Sequence, residues 1–350
     1  MRRLMVLLPG LLLSLLPGLC LLPAAQAGTL LVANKAEGSV TLLRTPGFER
    51  IVTLPVGEGP HEIALSPEGL RALVSNYGTA GRPGNTLTLI DLASLRPAAT
   101  IELPPGARPH GIAWVKSDTA VVTTEGLGSV LLVDMNTLTV RKRIEVDQDV
   151  AHMLAAARDG SGAWVASMGS GTVAELDLES EALAGVSASG AGSEGIALVN
   201  KGSEVWVSNR EAGTISVFSV RPLHKLAEIE VGGFPIRLAA DDTRGRVFAT
   251  LAADDALVVM DSDSREVIRR IDFDIPVPEN ADSILAGRGV SGSIPVGLLL
   301  SRDYEMLFVA HTQADVISVR EARDLKQVAV FSAGSEPDGM AWTWMDLPLK

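Results

Sequence analysis

The sequence contains a single cysteine, Cys20, and it lies in an N-terminal segment that we expect to be removed. A mature chain without cysteine has no disulfide, no thiolate metal site and no cysteine nucleophile. Aromatic residues are also scarce, at 4% of the sequence, whereas hydrophobic residues make up 47%. The core is therefore expected to consist mainly of Val, Leu, Ile and Ala.

The first 27 residues have the pattern of a secretory signal peptide. Arg2 and Arg3 precede an apolar stretch from residue 4 to residue 22, and Ala25-Gln26-Ala27 matches a small-residue cleavage site. Prolines interrupt the apolar stretch and no stop-transfer pattern follows it, which disfavours a membrane anchor. We predict cleavage near Ala27, a periplasmic or secreted mature protein, and a single domain over residues 28–350.

The mature chain is acidic. Two arginines leave with the leader, so 28 of the 30 basic residues remain against 42 acidic ones. Such a surface repels nucleic acid, and we expect no nucleic-acid partner. No apolar run of about eighteen residues follows the leader, so we expect no membrane span in the mature chain.

A short motif containing Pro-His-Gly-Ile-Ala recurs seven times in altered form. The residues at its histidine position are His61, His110, His152, Glu194, Ile236, Val296 and Asp338. Four of the six intervals between them are 42 residues long, and the other two are longer by 7 and by 18 residues. A constant period of this length, filled with short β runs, is typical of a β-propeller.

The two ends of the chain complete one repeat together. The seventh motif is followed by a single β run, whereas residues 30–34, 39–43 and 50–54 form three runs that lack a first one. Pairing the C-terminal strand with these three leaves no sheet edge open. The sequence therefore predicts an all-β, seven-bladed β-propeller with four antiparallel strands per blade, the last blade closed by N- and C-terminal strands.

Several local motifs resemble those of a known family. Second runs end in Val-Ala-Asn or Val-Ser-Asn at Asn34, Asn76 and Asn209, and Ser-Pro-Glu-Gly follows a first run. With Pro-His-Gly-Ile-Ala, this resembles the YVTN-repeat β-propellers and is similar to the YncE-like periplasmic proteins, over residues 29–345.

The resemblance implies a binding or scaffold protein that acts through its channel face on an unidentified protein or small molecule, without intrinsic catalysis. It also leaves two alternatives. One is a metal-dependent hydrolase or lyase of the propeller lactonase type. The other is an accessory protein of a periplasmic redox enzyme system. No G-x-S-x-G, H-E-x-x-H, P-loop or C-x-x-C-H motif is present.

The candidate site is one mouth of the central channel. The innermost strand of each blade lines the channel and begins at the histidine position, so these seven residues are expected to form a ring. The ring has an apolar arc of Ile236 and Val296 and a polar arc of Asp338, His61, His110, His152 and Glu194. Arg237 follows Ile236, and we include it in the candidate ligand-binding set.

The ends of the second strands lie on the same face as the ring. The residues in this register are Asn34, Asn76, Thr124, Ser167, Asn209, Leu251 and His311. Asparagine is common at strand ends for reasons of turn geometry. Of this register we add His311 to the candidate site because it is titratable.

Three interpretations of the ring stay open. The histidines belong to the repeat consensus and cap the strand starts, or the ring contacts an organic ligand, or it binds a divalent metal ion. Imidazole and carboxylate groups suit zinc and similar ions, with His61, His110 and His152 as candidate ligands. In the hydrolase alternative the metal would polarise a carbonyl or activate water, with a His or Glu as general base.

The two longer intervals predict insertions on the ring face. The 7-residue insertion falls around Tyr77 to Gly84, and the 18-residue insertion lies between Asp274 and Gly292. Insertions that gather on one face of a repeat fold often mark its binding face. The longer one contains Glu279, Asp282 and Arg288, and we expect it to act as a lid.

Overall fold

The computed structural model describes residues 27–278 and 290–349, and it confirms the seven-bladed propeller. Its strands in chain order are β1 (Gly28–Asn34), β2 (Ser39–Thr45), β3 (Arg50–Pro55), β4 (Pro60–Leu65), β5 (Arg71–Gly78), β6 (Pro83–Asp91), β7 (Arg96–Glu102), β8 (Pro109–Lys116), β9 (Thr119–Thr124), β10 (Ser129–Asp134), β11 (Thr139–Glu145), β12 (Ala151–Ala156), β13 (Gly162–Ser167), β14 (Thr172–Asp177), β15 (Ala182–Ala188), β16 (Ser193–Val199), β17 (Glu204–Asn209), β18 (Thr214–Val220), β19 (Leu223–Glu230), β20 (Pro235–Asp241), β21 (Arg246–Leu251), β22 (Ala256–Asp261), β23 (Val267–Asp272), β24 (Pro295–Leu300), β25 (Met306–His311), β26 (Val316–Glu321), β27 (Gln327–Phe331) and β28 (Pro337–Thr343). Within the described part of the chain, two 3-10 turns, Asn200–Gly202 and Thr312–Ala314, lie between strands.

Each blade is a four-stranded antiparallel sheet. Blades 1 to 6 are β4–β7, β8–β11, β12–β15, β16–β19, β20–β23 and β24–β27, and blade 7 has the order β28-β1-β2-β3. In blade 7, Leu31 pairs with Ala341 and Leu30 with Trp342, so the C-terminal strand supplies the innermost position. The predicted closure of the ring by both chain ends is thereby confirmed.

The core lies between neighbouring blades. Second strands are fully buried in several blades, as in β9 and β13, whereas the outer strand β15 alternates between exposed and half-buried positions. The buried clusters consist largely of Val, Leu, Ile and Ala, as the composition predicts. The few large aromatic side chains, such as Trp164, Trp206 and Trp342, are buried between blades.

A β-bulge at the start of every first strand aims the ring residues at the channel. In β4, two residues, His61 and Glu62, lie opposite the single residue Ser75 of β5, and the other six blades show a register shift at the same place. A bulge bends a strand and redirects its side chains. The residue after the ring position is glycine in four blades because the next blade approaches closely: a Cβ on Gly195 would lie 2.0 Å from the carbonyl oxygen of Ile236.

Hydroxyl side chains hold the bulges of neighbouring blades together. The N–H of Gly111 donates to Oγ1 of Thr123 at 2.8 Å, and the Thr123 hydroxyl donates to the carbonyl of His152 in the next blade. Ser75, Ser208 and Thr250 make the corresponding contacts in blades 1, 4 and 5. The backbone of the channel mouth is therefore fixed by repeated hydrogen bonds, while its side chains vary.

The 7-residue insertion extends the hairpin between β5 and β6 on the ring face, where the N–H of Thr79 donates to the carbonyl of Arg82. Most of the 18-residue insertion, including Glu279, Asp282 and Arg288, lies outside the described residues, so its expected role as a lid stays a prediction. Within residues 27–278 and 290–349, no helix has the length and apolar character needed to cross a membrane.

Candidate binding site at the channel mouth

Three histidines from consecutive blades stack against one another at the channel mouth. The ring centroids of His61 and His110 are 4.1 Å apart, and those of His110 and His152 are 3.7 Å apart. All three side chains are buried, His110 with only 1% of its surface exposed. The structure therefore brings the predicted histidines together.

His152 lies between two carboxylates. Its Nδ1 is 2.5 Å from Oε1 of Glu125 and its Nε2 is 2.9 Å from Oε1 of Glu194. Burial alone would lower the pKa of His152, but the two carboxylates outweigh it and raise that pKa to about 9. His152 is therefore a cation at neutral pH, with both ring nitrogens donating.

Glu194 is the acidic partner that His152 shares with an arginine. Nη1 of Arg210 donates to Oε2 of Glu194 at 2.6 Å. Burial would raise the pKa of Glu194, but His152, Arg210 and Arg237 together lower it to about 2. Glu194 is therefore ionised throughout the physiological range.

Arg237 crosses from the apolar side of the ring to the polar arc. Its guanidinium donates to Glu62, and its two Nη atoms lie 3.8 Å from Glu194 Oε1 and 3.6 Å from Asp338 Oδ1. The side chain is 6% exposed. Despite burial, which lowers it, the pKa of Arg237 is raised by Glu62, Asp338 and Glu194. One guanidinium therefore neutralises carboxylates from blades 1, 4 and 7.

His61 and His110 are neutral. Burial lowers the pKa of both far below the ordinary value, and the positive charges of Lys35, Arg237 and His152 lower it further. Nδ1 of His61 lies 3.1 Å from Oδ2 of Asp338, but the angle is unsuitable for a hydrogen bond. Nδ1 of His110 also has no hydrogen-bond partner among the described residues.

Asp338 is a weaker acid than an ordinary aspartic acid. Burial raises its pKa to about 6, although Arg237 and Lys35 act in the opposite direction. It lies beside His61, as ring closure predicts. All members of the predicted polar arc therefore meet at one place, with Arg237 among them.

A second ring of residues at this mouth was missed by the sequence analysis. Its members each follow by one position the register of Asn34, Asn76 and Thr124, and they are Lys35, Tyr77, Glu125, Met168, Arg210, Ala252 and Thr312. The hydroxyl of Tyr77 donates to Glu125 at 2.5 Å, and the Tyr77 ring packs edge-on against His61 and His110. Arg108 lies over the same ring, 4.4 Å from its centroid. Tyr77 thus covers the neutral histidines.

The apolar arc is a compact hydrophobic cluster. Ile236 and Val296 pack with Ala252, Val290 and Ile294, and all five side chains are at least nine-tenths buried. No titratable group belongs to this cluster. The polar and apolar arcs of the mouth are therefore separate in composition, as the sequence predicts for these positions.

His311 does not join the cluster of stacked histidines. Its Nδ1 lies 2.6 Å from Ser293 Oγ and its Nε2 2.8 Å from Ser318 Oγ, and Phe273 packs edge-on against it. Burial lowers its pKa to about 3, with a smaller contribution from Arg320. His311 is a neutral, buried residue whose hydrogen bonds to Ser293 and Ser318 stabilise blade 6.

Among the described residues, two groups of side chains have donor atoms close enough for a metal ion. The nitrogen and oxygen atoms of His61, Glu62 and His110 lie within 4.8 Å of one another, as do those of His110, Glu125 and His152. Zinc–nitrogen bonds are about 2.0–2.1 Å long, so the donors would have to move inward. The second group contains the protonated His152, whereas both histidines of the first group are neutral. The first group therefore suits a metal better, even though Arg237 is bound to its Glu62.

An open groove of about 790 Å³ lies beside the ring, between blades 7 and 1. Lys35, Glu37, Glu58, Arg82 and Glu336 contribute to it. Arg82 is paired with Glu58, and Glu37 accepts a hydrogen bond from the backbone of residue 335. The ammonium group of Lys35 makes no ion pair with any described residue.

The chain is a seven-bladed β-propeller whose charged channel mouth is buried, and its architecture recurs in solved structures. It is similar to Kuenenia stuttgartiensis hydrazine synthase, with 14% identity, a TM-score of 0.70 and coverage of 85% of this chain and 93% of that one. The Pseudomonas aeruginosa periplasmic gluconolactonase PpgL shares 16% identity with a TM-score of 0.70, over 93% of this chain and all of that one.

A third similar structure is the dihydro-heme d1 dehydrogenase NirN in complex with DHE. It has 16% identity and a TM-score of 0.62, over 93% of this chain and 77% of that one. No protein-family model and no curated protein matches the sequence. At these identities the likenesses establish the propeller fold alone.

Proposed function

We propose that this protein is an exported propeller of the YVTN-repeat type that binds a small polyhydroxy carboxylate at the channel mouth, without intrinsic catalysis. One observation carries the proposal. The charged side chains of the polar arc already form ion pairs with one another. Lys35, at the edge of the mouth, has no ion-pair partner among the described residues.

The engaged groups are unsuited to proton transfer. A general base needs a free lone pair and a pKa near the working pH. His152 donates from both nitrogens and has its pKa raised to about 9, and the pKa of Glu194 is lowered to about 2. These residues hold one another at the mouth beside the groove, and in this state they do not make a catalytic set.

The groups that remain available match a polyhydroxy acid. The ammonium of Lys35 offers a charge partner for a carboxylate, and the groove of about 790 Å³ is large enough for a small molecule. Nδ1 of His110 has no hydrogen-bond partner among the described residues, and a ligand hydroxyl that displaces Tyr77 would form a hydrogen bond with it. A sugar acid has both kinds of group.

Gluconate is the probe for this proposal. We expect calorimetric binding to the wild-type protein and a loss of affinity of about tenfold in Lys35→Met, because a charge-assisted hydrogen bond is removed. Lys142→Met, on the exposed outer strand β11, removes the same charge elsewhere and should bind normally. No binding, or binding unchanged in Lys35→Met, contradicts the proposed site.

Metal-dependent hydrolysis of a lactone is the second candidate, and the cluster of His61, Glu62 and His110 favours it. Both histidines are neutral, which metal binding requires. The metal would polarise the lactone carbonyl, while Tyr77 and Arg237 would hold the substrate against it. The positive charge of Arg237 on Glu62 opposes a cation here, so this candidate ranks second.

Elemental analysis of protein purified without an affinity tag separates the two candidates. Stoichiometric zinc, manganese or calcium that is lost in His110→Ala, together with hydrolysis of glucono-δ-lactone, would establish the second candidate. Gluconate binding by metal-free protein, with no hydrolysis after these metals are added, supports the first.

Export is part of the proposal. The first strand begins at Gly28, directly after the predicted cleavage site, so the mature N-terminus would start inside blade 7. We expect N-terminal sequencing of the protein recovered from the periplasm or medium to begin at Gly28. An uncleaved, cell-retained protein would contradict this.

A further inference from the structure

A second pocket lies on the face opposite the ring, between blades 3 and 4. It has a volume of about 310 Å³. Its walls include the apolar side chains Trp164, Leu198 and Val220, and Arg158, Lys201 and Arg221 bring positive charge to it. Pockets that bind small molecules have this mixture of an apolar wall and a few polar groups.

The indole N–H of Trp164 is an unpaired buried donor at this place. Trp164 is 1% exposed, and its Nε1 has no hydrogen-bond partner among the described residues. A buried N–H without an acceptor is unfavourable, and native proteins seldom leave one unpaired. An acceptor atom at this position would therefore be bound favourably.

The equivalent tryptophan of the neighbouring blade shows which chemical group accepts from such an indole N–H. Trp206 lies 42 residues after Trp164 at the same position of the second strand, and its Nε1 donates to Oε2 of Glu204 at 2.8 Å. Oε1 of Glu204 accepts a hydrogen bond from Arg265 of the next blade at 2.9 Å. In blade 4, a carboxylate thus joins an indole to a guanidinium.

Blade 3 has the same indole, with a guanidinium supplied by blade 4, but it lacks that carboxylate. Gly162 stands 42 residues before Glu204, and Arg221 occupies the turn between third and fourth strands, as Arg265 does. A Cβ on Gly162 would lie 3.1 Å from Nη2 of Arg221 and 3.4 Å from the Trp164 ring. A side chain at position 162 would therefore begin beside Arg221 and beside Cη2 of Trp164, and by analogy with Glu204 of blade 4 we expect a glutamate there to reach the indole N–H.

We propose that this pocket binds a small aliphatic carboxylic acid whose carboxylate takes the place that the Glu204 carboxylate has in blade 4. It accepts from Nε1 of Trp164 and pairs with Arg221, and its hydrocarbon part lies against Leu198 and Val220. Nη2 of Arg221 donates to Oγ of Ser161 at 3.0 Å, and because this side chain is 58% exposed it can exchange that bond for the carboxylate. This site is independent of the channel mouth.

The acidic groups of the pocket do not already serve this role. Asp159 accepts from the N–H of Ser161 at 3.0 Å, and Asp242 accepts from the N–H of Lys201 at 3.1 Å, so both stabilise turns. Glu175 is 3.8 Å from Nε of Arg221, beyond hydrogen-bond distance, and burial raises its pKa. Glu175→Gln should therefore strengthen binding of the acid.

The test follows the indole N–H resonance of Trp164 by NMR, assigned with Trp164→Phe. Titration with hexanoate should shift this resonance downfield and saturate, whereas hexanamide, which has the same chain without the charge, should not. Arg221→Gln should weaken hexanoate binding about tenfold because a charge-assisted hydrogen bond is lost.

Gly162→Glu supplies the missing carboxylate from the chain itself. We expect this variant to lose the hexanoate response and to melt at a higher temperature than wild type. Gly81→Glu adds the same charge in open space on the opposite face and should respond to hexanoate normally.

Three results overturn the proposal: no saturable shift with hexanoate, an equal shift with hexanamide, or a response that Arg221→Gln leaves intact. Lys35→Met separates this site from the channel mouth, because it should leave the hexanoate response unchanged. Conversely, Arg221→Gln should leave gluconate binding at the mouth unchanged.

Discussion

The polar and apolar arcs of the channel mouth are built on the same backbone and differ only in side chains. Each begins with a bulge after a proline or a small residue. On one arc the side chains form ion pairs, and on the other Ile236 and Val296 pack in a dry cluster. The repeat therefore determines the position of a side chain, and the side chains around that position determine whether it forms ion pairs or apolar contacts.

Arg237 joins the two arcs. It belongs to the blade that carries Ile236, but its guanidinium reaches Glu62, Glu194 and Asp338 on the polar side. Glycine is the usual residue at this position in the repeat, so the long side chain is a departure from the pattern. The stability of the polar arc therefore depends on a residue contributed by the apolar side.

Removal of Arg237 should have the largest effect. Arg237→Met leaves the buried carboxylates of Glu194 and Asp338 and the partly buried carboxylate of Glu62 without their shared cation, and we expect a loss of about 3–5 kcal/mol in the free energy of unfolding. Urea denaturation at neutral pH measures it. Arg270→Met is the control, since Arg270 pairs with Asp254 and Asp272 at an exposed position and should cost less than about 1 kcal/mol. Equal losses in the two variants would contradict the role of Arg237.

The apolar arc should be more tolerant. Ile236→Ala creates a cavity in the cluster of Ala252, Val290 and Ile294, and we expect a loss of about 2–4 kcal/mol. The same denaturation experiment on Ile268→Ala, at a 52% exposed position, should show a change within about 0.5 kcal/mol. If Ile236→Ala were more damaging than Arg237→Met, the apolar arc would be the main support of the mouth.

The fold and the first ring could be predicted from sequence because both follow from the 42-residue period. The period also placed Asp338 beside His61 across the chain ends. Arg237 was predicted, but its three partners were not, because ion pairs across a channel join residues far apart in sequence.

The second ring was missed for a specific reason. The candidate register was that of Asn34, Asn76 and Thr124, whereas the side chains that reach the histidine cluster belong to the next position, as Tyr77 and Glu125 show. Successive side chains of a strand point to opposite faces. A register that is wrong by one residue therefore selects side chains that face the blade interior and omits those that face the channel. Asn34 and Asn76 instead bond hydroxyl groups of the third strand inside their own blades. In several blades the residue directly after this register is polar, and that repeated pattern in the sequence could have indicated the second ring.

The contribution of the polar arc to stability should depend on pH through His152, whereas the apolar cluster has no group that titrates. The folded pKa of about 9 exceeds the ordinary value of 6.5, so the stabilisation is complete below pH 6.5 and is lost as pH rises through about 9. We expect the wild-type protein to lose on the order of 2 kcal/mol over this range, measured by urea denaturation in EDTA. His152→Gln should abolish most of this dependence, and His224→Gln, at an exposed position, should retain it. A wild-type profile that is flat over this range would mean that Glu125 and Glu194 do not hold His152 as a cation, and the contrast between the arcs would then lose its electrostatic basis.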